Sequence, residues 1–229
     1  FSKGIDLKLI MPSDLTVGVD GLVSNKDYVE IAQLMGKKIG VSLFTYSHVL
    51  LNQIFKKYGY SEKDFELINV RGEYVPGMIK SGEISAGHTW GIHMQEAIQQ
   101  GGNLLFTSKE FPGLLVDSLV VRKEALEESL EKWKKFINAH EFSVSFWQKN
   151  QGVAKEIICK RTGFSSEKIE TMLDGVQFFT EQDNLMLFDI NGKNPPNLFA
   201  SGRIFINFFI EKGILKSKID LLNILSPLD

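Results

Sequence analysis

The chain lacks the features that identify several protein classes. Cys159 is its only cysteine, so no disulfide can form within the chain. No apolar run approaches the roughly 18 residues that a membrane span requires, and the densest, Ile204–Ile210, contains Asn207. A net charge of −2 gives no basic excess of the kind that nucleic-acid-binding proteins carry. We therefore expect neither a disulfide-stapled domain nor a nucleic-acid-binding one.

Motifs for metal binding and catalysis are also missing. The sequence contains no HExxH, CxxC, GxSxG or GxxxxGK[ST] pattern. His88 and His93 are five residues apart, across a strand-to-helix junction, with no carboxylate at ligand spacing, so we interpret them as partly buried histidines. Cys159 lies among apolar helical residues and reads as a core thiol. The sequence predicts no catalytic residue, no metal and no cofactor.

What the chain does have is an alternation of strand and helix patterns after Lys26. Alternation at these lengths predicts an α/β fold with a mainly parallel sheet covered on both faces. The predicted strands are Lys38–Ser42, Phe65–Val70, Ala86–Trp90 and Asn103–Thr107, and the predicted helices are Ser47–Tyr58, Val75–Lys80 and Ile92–Gln100.

Other patterns flank this region. Short strands at Lys8–Met11 and Gly21–Ser24 enclose a polar link, Pro12–Asp20, and the run Leu114–Arg122 is rich in β-formers. Beyond Lys123 helical spacing dominates. It predicts helices over Glu124–Asn150 and Gln151–Thr162, helix starts at Ser165, Thr180 and Asn197, and a loop at Asn191–Pro196.

The change of character predicts two lobes. Residues 23–120 form one α/β lobe, and residues 1–22 with 121–229 form a second, discontinuous lobe. A chain that leaves one lobe, builds another and returns creates a hinge and a cleft, where ligands bind with hinge closure.

Three features are candidates for ligand contacts. Thr45, Tyr46 and Ser47 place hydroxyls at a helix start that follows a parallel strand, where a polar or anionic group binds; simple helix capping is the alternative. Trp90 ends a strand at the same edge, either in the core or stacking on a ligand. Asp117 interrupts an apolar run and either binds a ligand amine or pins the hinge.

Five segments together resemble one family. They are GKKIGVSLFTYSHVLL, KSGEISAGHTW, FPGLLVDSLVVRKE, GFSSEKIETML and FFTEQDNLMLF, and the agreement in order and spacing extends over most of the chain from Gly4 onward. The chain resembles the solute-binding proteins of ABC importers, in the group for sulfonate, taurine, nitrate and thiamine precursors.

The resemblance implies a two-lobe, type II periplasmic-binding-protein fold. It implies capture of a small solute by hinge closure, delivery to an importer permease, a monomer, and a periplasmic or membrane-anchored extracellular location. The family also implies ligand contacts at matching positions of this chain, which are Ser13, Asp14, Asp20, Thr45, Tyr46, Ser47, His48, Trp90, Asp117 and Asn184.

Two departures from the family bear on these expectations. Family members carry a β-α-β-α unit of about 60 residues ahead of the segment that starts at Gly4, so we expect the discontinuous lobe to lack that unit. Gly91 follows Trp90 where the family often has an acid, and the turn carries bulky Phe44 and Tyr46. These aromatic residues favour a flatter or larger ligand, such as a pyrimidine or aromatic compound, over a small sulfonate.

Two alternatives use the same fold. One is the ligand-sensing ectodomain of a membrane signalling protein. The other is an enzyme similar to the thiamine-pyrimidine synthases, whose cysteine-rich iron-binding motif a chain with Cys159 alone does not supply.

Overall fold

The computed structural model of the chain describes residues 5–193 and 196–228. These residues divide into two compact units. The first, which we call the central unit, comprises residues 16–112, and the second, the flanking unit, comprises residues 5–15 and 113–228. Both boundaries lie a few residues before those of the predicted range 23–120.

Strands alternate with helices through the central unit, as the sequence pattern predicts. Strand β1 (Leu7–Thr16) leads into it from the flanking unit. The elements that follow are β2 (Asp20–Ser24), β3 (Lys38–Val41), α1 (Tyr46–Lys57), β4 (Glu66–Asn69), α2 (Val75–Ser81), β5 (Ala86–Trp90), α3 (Gly91–Gln99) and β6 (Asn103–Thr107).

The strands of the central unit form one five-stranded sheet in the order β4-β3-β5-β2-β6. Strand β3 pairs in parallel with β4 and β5, whereas β2 pairs antiparallel with β5 and β6. Strands β3, β4, β5 and β6 thus run in one direction and β2 runs against them, so the prediction of a mainly parallel sheet is confirmed. Strand β2 precedes the alternating region, so no crossover helix sets its direction relative to its neighbours.

Helix α1 shows why this sequence folds as it does locally. The Thr45 side chain caps its first turn, and Lys56 and Lys57 lie in its last turn, where positive charge is favourable. The helix ends shortly before Gly59, whose φ of 79° glycine adopts without strain. Its apolar face is buried in the core and consists of Val49, Leu50, Leu51, Ile54 and Phe55.

The flanking unit is mainly helical around a three-stranded sheet of order β7-β1-β8. Its elements after the central unit are β7 (Val116–Arg122), α4 (Lys123–Glu128), α5 (Leu130–Lys149), α6 (Gln151–Thr162), α7 (Ser166–Leu173), β8 (Val176–Phe178), α8 (Glu181–Leu187) and α9 (Leu198–Glu211). A core cluster of Ile10, Met11, Val121, Leu126 and Ile137 joins β1 and β7 to α4 and α5.

Some of the predictions for this part of the chain are confirmed and others are wrong. The caps at Ser165, Thr180 and Asn197 are confirmed. The prediction of a polar link over Pro12–Asp20 is wrong, because β1 runs on to Thr16 and β-bulges accommodate Pro12. The single helix Glu124–Asn150 is also wrong, since it breaks at Ser129.

Two further points concern this part of the chain. Strand β8 was not predicted, and the predicted loop Asn191–Pro196 falls partly outside the described residues. Within the residues that the structure describes, every helix is too short or too polar to span a bilayer.

Candidate functional site

Several predicted site residues meet at one edge of the central sheet. Strands β3 and β5 are parallel, so their carboxyl ends lie at the same edge, where α/β sheets commonly bind ligands. Helix α1 begins directly after β3, and Trp90 is the last residue of β5. Asp20 lies opposite Trp90 in the register of β2 and β5. The structure therefore brings together Asp20, Trp90 and the turn at residues 45–48.

Aromatic side chains dominate the exposed part of this edge. The Tyr46 ring lies 6.5 Å from the Trp90 ring and 6.0 Å from the His88 ring, in both cases edge to face. Tyr46 is 39% exposed and Phe44 is 49% exposed. Because aromatic faces pack well against flat rings, this edge can hold a planar molecule.

The polar side chains of the turn are instead engaged within the protein. The Thr45 hydroxyl donates to the carbonyl of Ser42 at 2.8 Å and accepts the backbone N–H of Ser47 at 3.3 Å. The backbone N–H of His48 donates to the Thr45 carbonyl. The Ser47 hydroxyl is buried and lies 2.7 Å from Nδ1 of His88. These contacts engage the hydroxyls and amides that the sequence predicts as contacts for a polar or anionic group.

Ser47, His88 and Asp20 form a buried polar row beneath the aromatic residues. Nε2 of His88 lies 3.9 Å from Oδ1 of Asp20, and the Thr16 hydroxyl donates to the other carboxylate oxygen at 3.1 Å. Burial lowers the pKa of His88 to about 4, so its imidazole is neutral at pH 7. The nearby carboxylate favours the proton on Nε2, which leaves Nδ1 to accept from Ser47.

This row contains the residue types of a Ser-His-Asp triad but lacks its geometry. Ser47 is 1% exposed, so its hydroxyl does not reach a substrate. The 3.9 Å separation of His88 and Asp20 also exceeds a hydrogen bond. The arrangement is suited to fixing the start of α1 against β5, not to nucleophilic attack.

His48 is also buried and contacts Phe44 through one ring nitrogen and Glu62 through the other. Its Nδ1 lies 3.2 Å from the backbone nitrogen of Phe44, and its Nε2 lies 3.3 Å from Oε1 of Glu62. The same Glu62 oxygen accepts a hydrogen bond from Asn52 at 2.6 Å. In this arrangement His48 stabilises the turn through its contacts with Phe44 and Glu62.

The flanking unit contains a second group of predicted residues. Asp14 and Asp117 lie opposite each other in β1 and β7, and the Ser13 hydroxyl donates to Asp14 at 2.8 Å. Partial desolvation raises the pKa of Asp117, and the charge of Asp14 and a hydrogen bond between the two side chains raise it further. The charge of Asp14 thus disfavours ionisation of Asp117, and the two side chains present hydrogen-bond acceptors.

Three buried side-chain polar atoms of the flanking unit have no hydrogen-bond partner among the described residues. They are Oγ of Ser118, in β7, Nε2 of His140, in α5, and Oδ1 of Asn184, in α8. Burial lowers the pKa of His140, and the charge of Asp14 opposes this shift. In residues 5–193 and 196–228, no three His, Cys, Asp or Glu side chains are grouped so that they could hold a metal ion.

Sequence reasoning missed three residues that shape the central edge. His88 lies two positions before Trp90 on the same strand, so strand alternation could have placed it on the same face. Gly72 follows β4 at the same edge, and its Cα packs against the Trp90 indole. Glu62 lies in a 3-10 turn distant in sequence from the edge, and no local pattern indicates its contact with His48.

Comparison with known proteins finds similarity both in sequence and in structure. A protein of Brucella abortus (strain 2308), named as a putative binding protein, is 24% identical over 209 residues. This match covers 88% of the present chain and 63% of the Brucella protein, so the chain spans less than two thirds of that relative's length.

Solved structures show the fold. The periplasmic aliphatic sulphonate binding protein SsuA from Escherichia coli is similar, with a TM-score of 0.76 at 13% identity, over 98% of this chain and 74% of SsuA. The desulfurization enzyme DSZB is also similar, with a TM-score of 0.62 at 12% identity, over 97% and 77% of the two chains. The α/β fold is thus that of the type II periplasmic binding proteins, and it also occurs in an enzyme.

A family model covers most of the chain directly. Residues 3–154 match the family described as NMT1/THI5 like, which includes the whole central unit and both strands that carry Asp14 and Asp117. The sequence resemblance to solute-binding proteins is confirmed at this level, and the chain belongs to the NMT1/THI5-like family.

Proposed function

We propose that this chain is the solute-binding component of an ABC importer and captures a small organic molecule with a flat body. The observation that carries the proposal is the aromatic group at the carboxyl edge of the central sheet, which consists of the exposed Phe44 and Tyr46 and the partly buried Trp90. The family membership and the binding-protein names of its relatives support the same role.

The contacts at this edge favour an aromatic or heteroaromatic ligand over a bare oxyanion. Two amides in the first turn of α1 are already bonded to Thr45, and Ser47 is bonded to His88. Arg71, the cationic side chain that follows β4, pairs with Glu73. An oxyanion would have to displace some of these partners, whereas a planar ring needs only the aromatic faces.

Asp14 and Asp117 remain predicted contacts for the polar end of the ligand from the family resemblance, and they offer acceptor oxygens for N–H or O–H groups. In this proposal Ser47 and His48 act by shaping the turn. Asn184 and Ser13 remain predicted ligand contacts from the family resemblance. Hinge closure, permease binding and a periplasmic or membrane-anchored location are also predictions from that resemblance.

Isothermal titration across four solute classes tests the proposal. The panel contains an alkanesulfonate, nitrate, an aminopyrimidine and an aromatic carboxylate. We expect measurable heat and a dissociation constant in the micromolar range or below for at least one ring-containing solute, and much weaker binding of nitrate. The absence of binding to every class, from protein freed of bound solutes by unfolding and refolding, would overturn the proposal.

A further inference from the structure

Phe44 has a backbone conformation that its surroundings must impose. Among the described residues it is the one non-glycine residue with a positive φ, at 61°. A bulky side chain rarely adopts this left-handed conformation, and it persists only where neighbouring contacts fix it. Since Phe44 is 49% exposed, packing of its own side chain is not enough to do so.

Hydrogen bonds on both sides of Phe44 supply the constraint. The backbone N–H of Leu43 donates to Oδ1 of Asn69 at 3.1 Å, and the Thr45 hydroxyl donates to the Ser42 carbonyl. The backbone N–H of Phe44 itself donates to Nδ1 of His48 at 3.2 Å, and the two rings lie edge to face at 5.7 Å. His48 is thus the side chain that contacts the strained residue directly.

The geometry fixes the tautomer of His48. A backbone N–H only donates, so Nδ1 must be the acceptor and the ring proton lies on Nε2. Nε2 faces Oε1 of Glu62 at 3.3 Å, and the His48 and Glu62 side chains are 3% and 17% exposed. Asn52 holds the same oxygen at 2.6 Å. A continuous set of contacts therefore runs from Asn52 and Glu62 through His48 to Phe44.

We propose that His48 is a positioning residue whose Nδ1 acceptor holds Phe44 in its left-handed conformation and so presents the phenyl ring at the ligand edge. The role of this ring in binding rests on the proposed function. The conformation of the turn does not, because it is argued from contacts within the protein.

Two variants of His48 separate its two contacts. In His48→Asn, Oδ1 takes the place of Nδ1, so the acceptor for Phe44 is kept while the contact to Glu62 is lost. In His48→Gln, the side-chain amide reaches toward Glu62 but leaves no acceptor near Phe44. Both variants are neutral and polar, so each is the matched control for the other.

The first readout uses no ligand. With 4-fluorophenylalanine placed at position 44, both variants lose the ring current of the imidazole, which lies 5.7 Å from the Phe44 ring, so they are compared with each other. His48→Asn is expected to give one sharp fluorine resonance, and His48→Gln is expected to move or broaden it, while the amide spectrum of the rest of the central unit stays dispersed. A resonance in His48→Gln that matches that of His48→Asn in shift and width would overturn the proposal, whether or not any solute binds.

The second readout is affinity for whichever ring-containing solute the titrations identify. We expect binding about tenfold weaker in His48→Gln and within about threefold of wild type in His48→Asn. A moved resonance with unchanged affinity would refute the link between the turn and binding. Failure of every solute to bind the wild type would instead count against the proposed function, and the fluorine spectra would still decide the conformational role of His48.

Discussion

Replacing Gly72 with alanine is expected to displace the Trp90 indole from the ligand edge. A Cβ at this position would lie 2.7 Å from Cη2 of Trp90, and closer still to Cζ3 and Cε3, so the two groups would overlap. The indole must therefore move or the turn after β4 must shift. Overpacking of this kind costs about 1–3 kcal/mol of stability, and it should weaken binding of a ring-containing solute by tenfold or more.

Fluorine NMR of protein labelled with 5-fluorotryptophan measures this displacement directly. The chain has three tryptophans, and Trp133 and Trp147 lie in the flanking unit, so only the Trp90 resonance should move. Gly77→Ala is the matched control. A Cβ there meets no atom within 4 Å, and alanine favours the helix, so that variant should be as stable as wild type or more so. An unmoved Trp90 resonance in Gly72→Ala would contradict the packing described.

Acid is expected to destabilise the central unit through His88. Burial lowers the pKa of this histidine from 6.5 to about 4, so between these pH values the unfolded chain binds a proton that the folded chain does not. The stabilisation is fully present above about pH 6.5 and is lost as the pH falls toward 4. The pKa difference corresponds to about 3 kcal/mol of unfolding free energy.

Urea unfolding at a series of pH values tests this dependence. The Trp90 fluorine resonance reports on the central unit, and the free energy of unfolding is compared between wild type and His88→Gln. The variant should be less stable at pH 7.5, because it loses the fitted contact to Ser47, yet nearly insensitive to pH between 7 and 4.5. His93→Gln changes the partly buried histidine nearby and is the control. It should keep the wild-type dependence of the free energy of unfolding on pH. Equal slopes in His88→Gln and wild type would refute the assignment.

Much of the central unit could be predicted because its signals are local. The cap at Thr45, the apolar spacing of α1 and the glycine after it lie within 15 consecutive residues. Strand β5 and the residue that ends it were likewise set by a short pattern. These elements, together with the rule that ligands bind at the carboxyl ends of parallel strands, placed Thr45, Tyr46 and Trp90 at one edge.

What could not be predicted depends on contacts between distant segments. The direction of β2 depends on pairing with β5 and β6, more than 60 residues away. The burial of Ser47 and His48 depends on His88 and Glu62, which no spacing rule connects to the turn. Hydroxyls that look available to a ligand in the sequence are therefore structural, while the left-handed conformation of Phe44 and the contact of Gly72 with Trp90 become visible only in three dimensions.

The central claim is that the aromatic edge binds a solute, and titration of wild type beside Trp90→Ala tests it most directly. Tyr58→Ala, at the opposite end of α1, removes an aromatic ring that is 47% exposed and is the matched control. We predict that the ring-containing solute bound by wild type binds about tenfold more weakly to Trp90→Ala, through lost stacking, and equally well to Tyr58→Ala. Equal affinity of all three proteins for that solute would contradict the account.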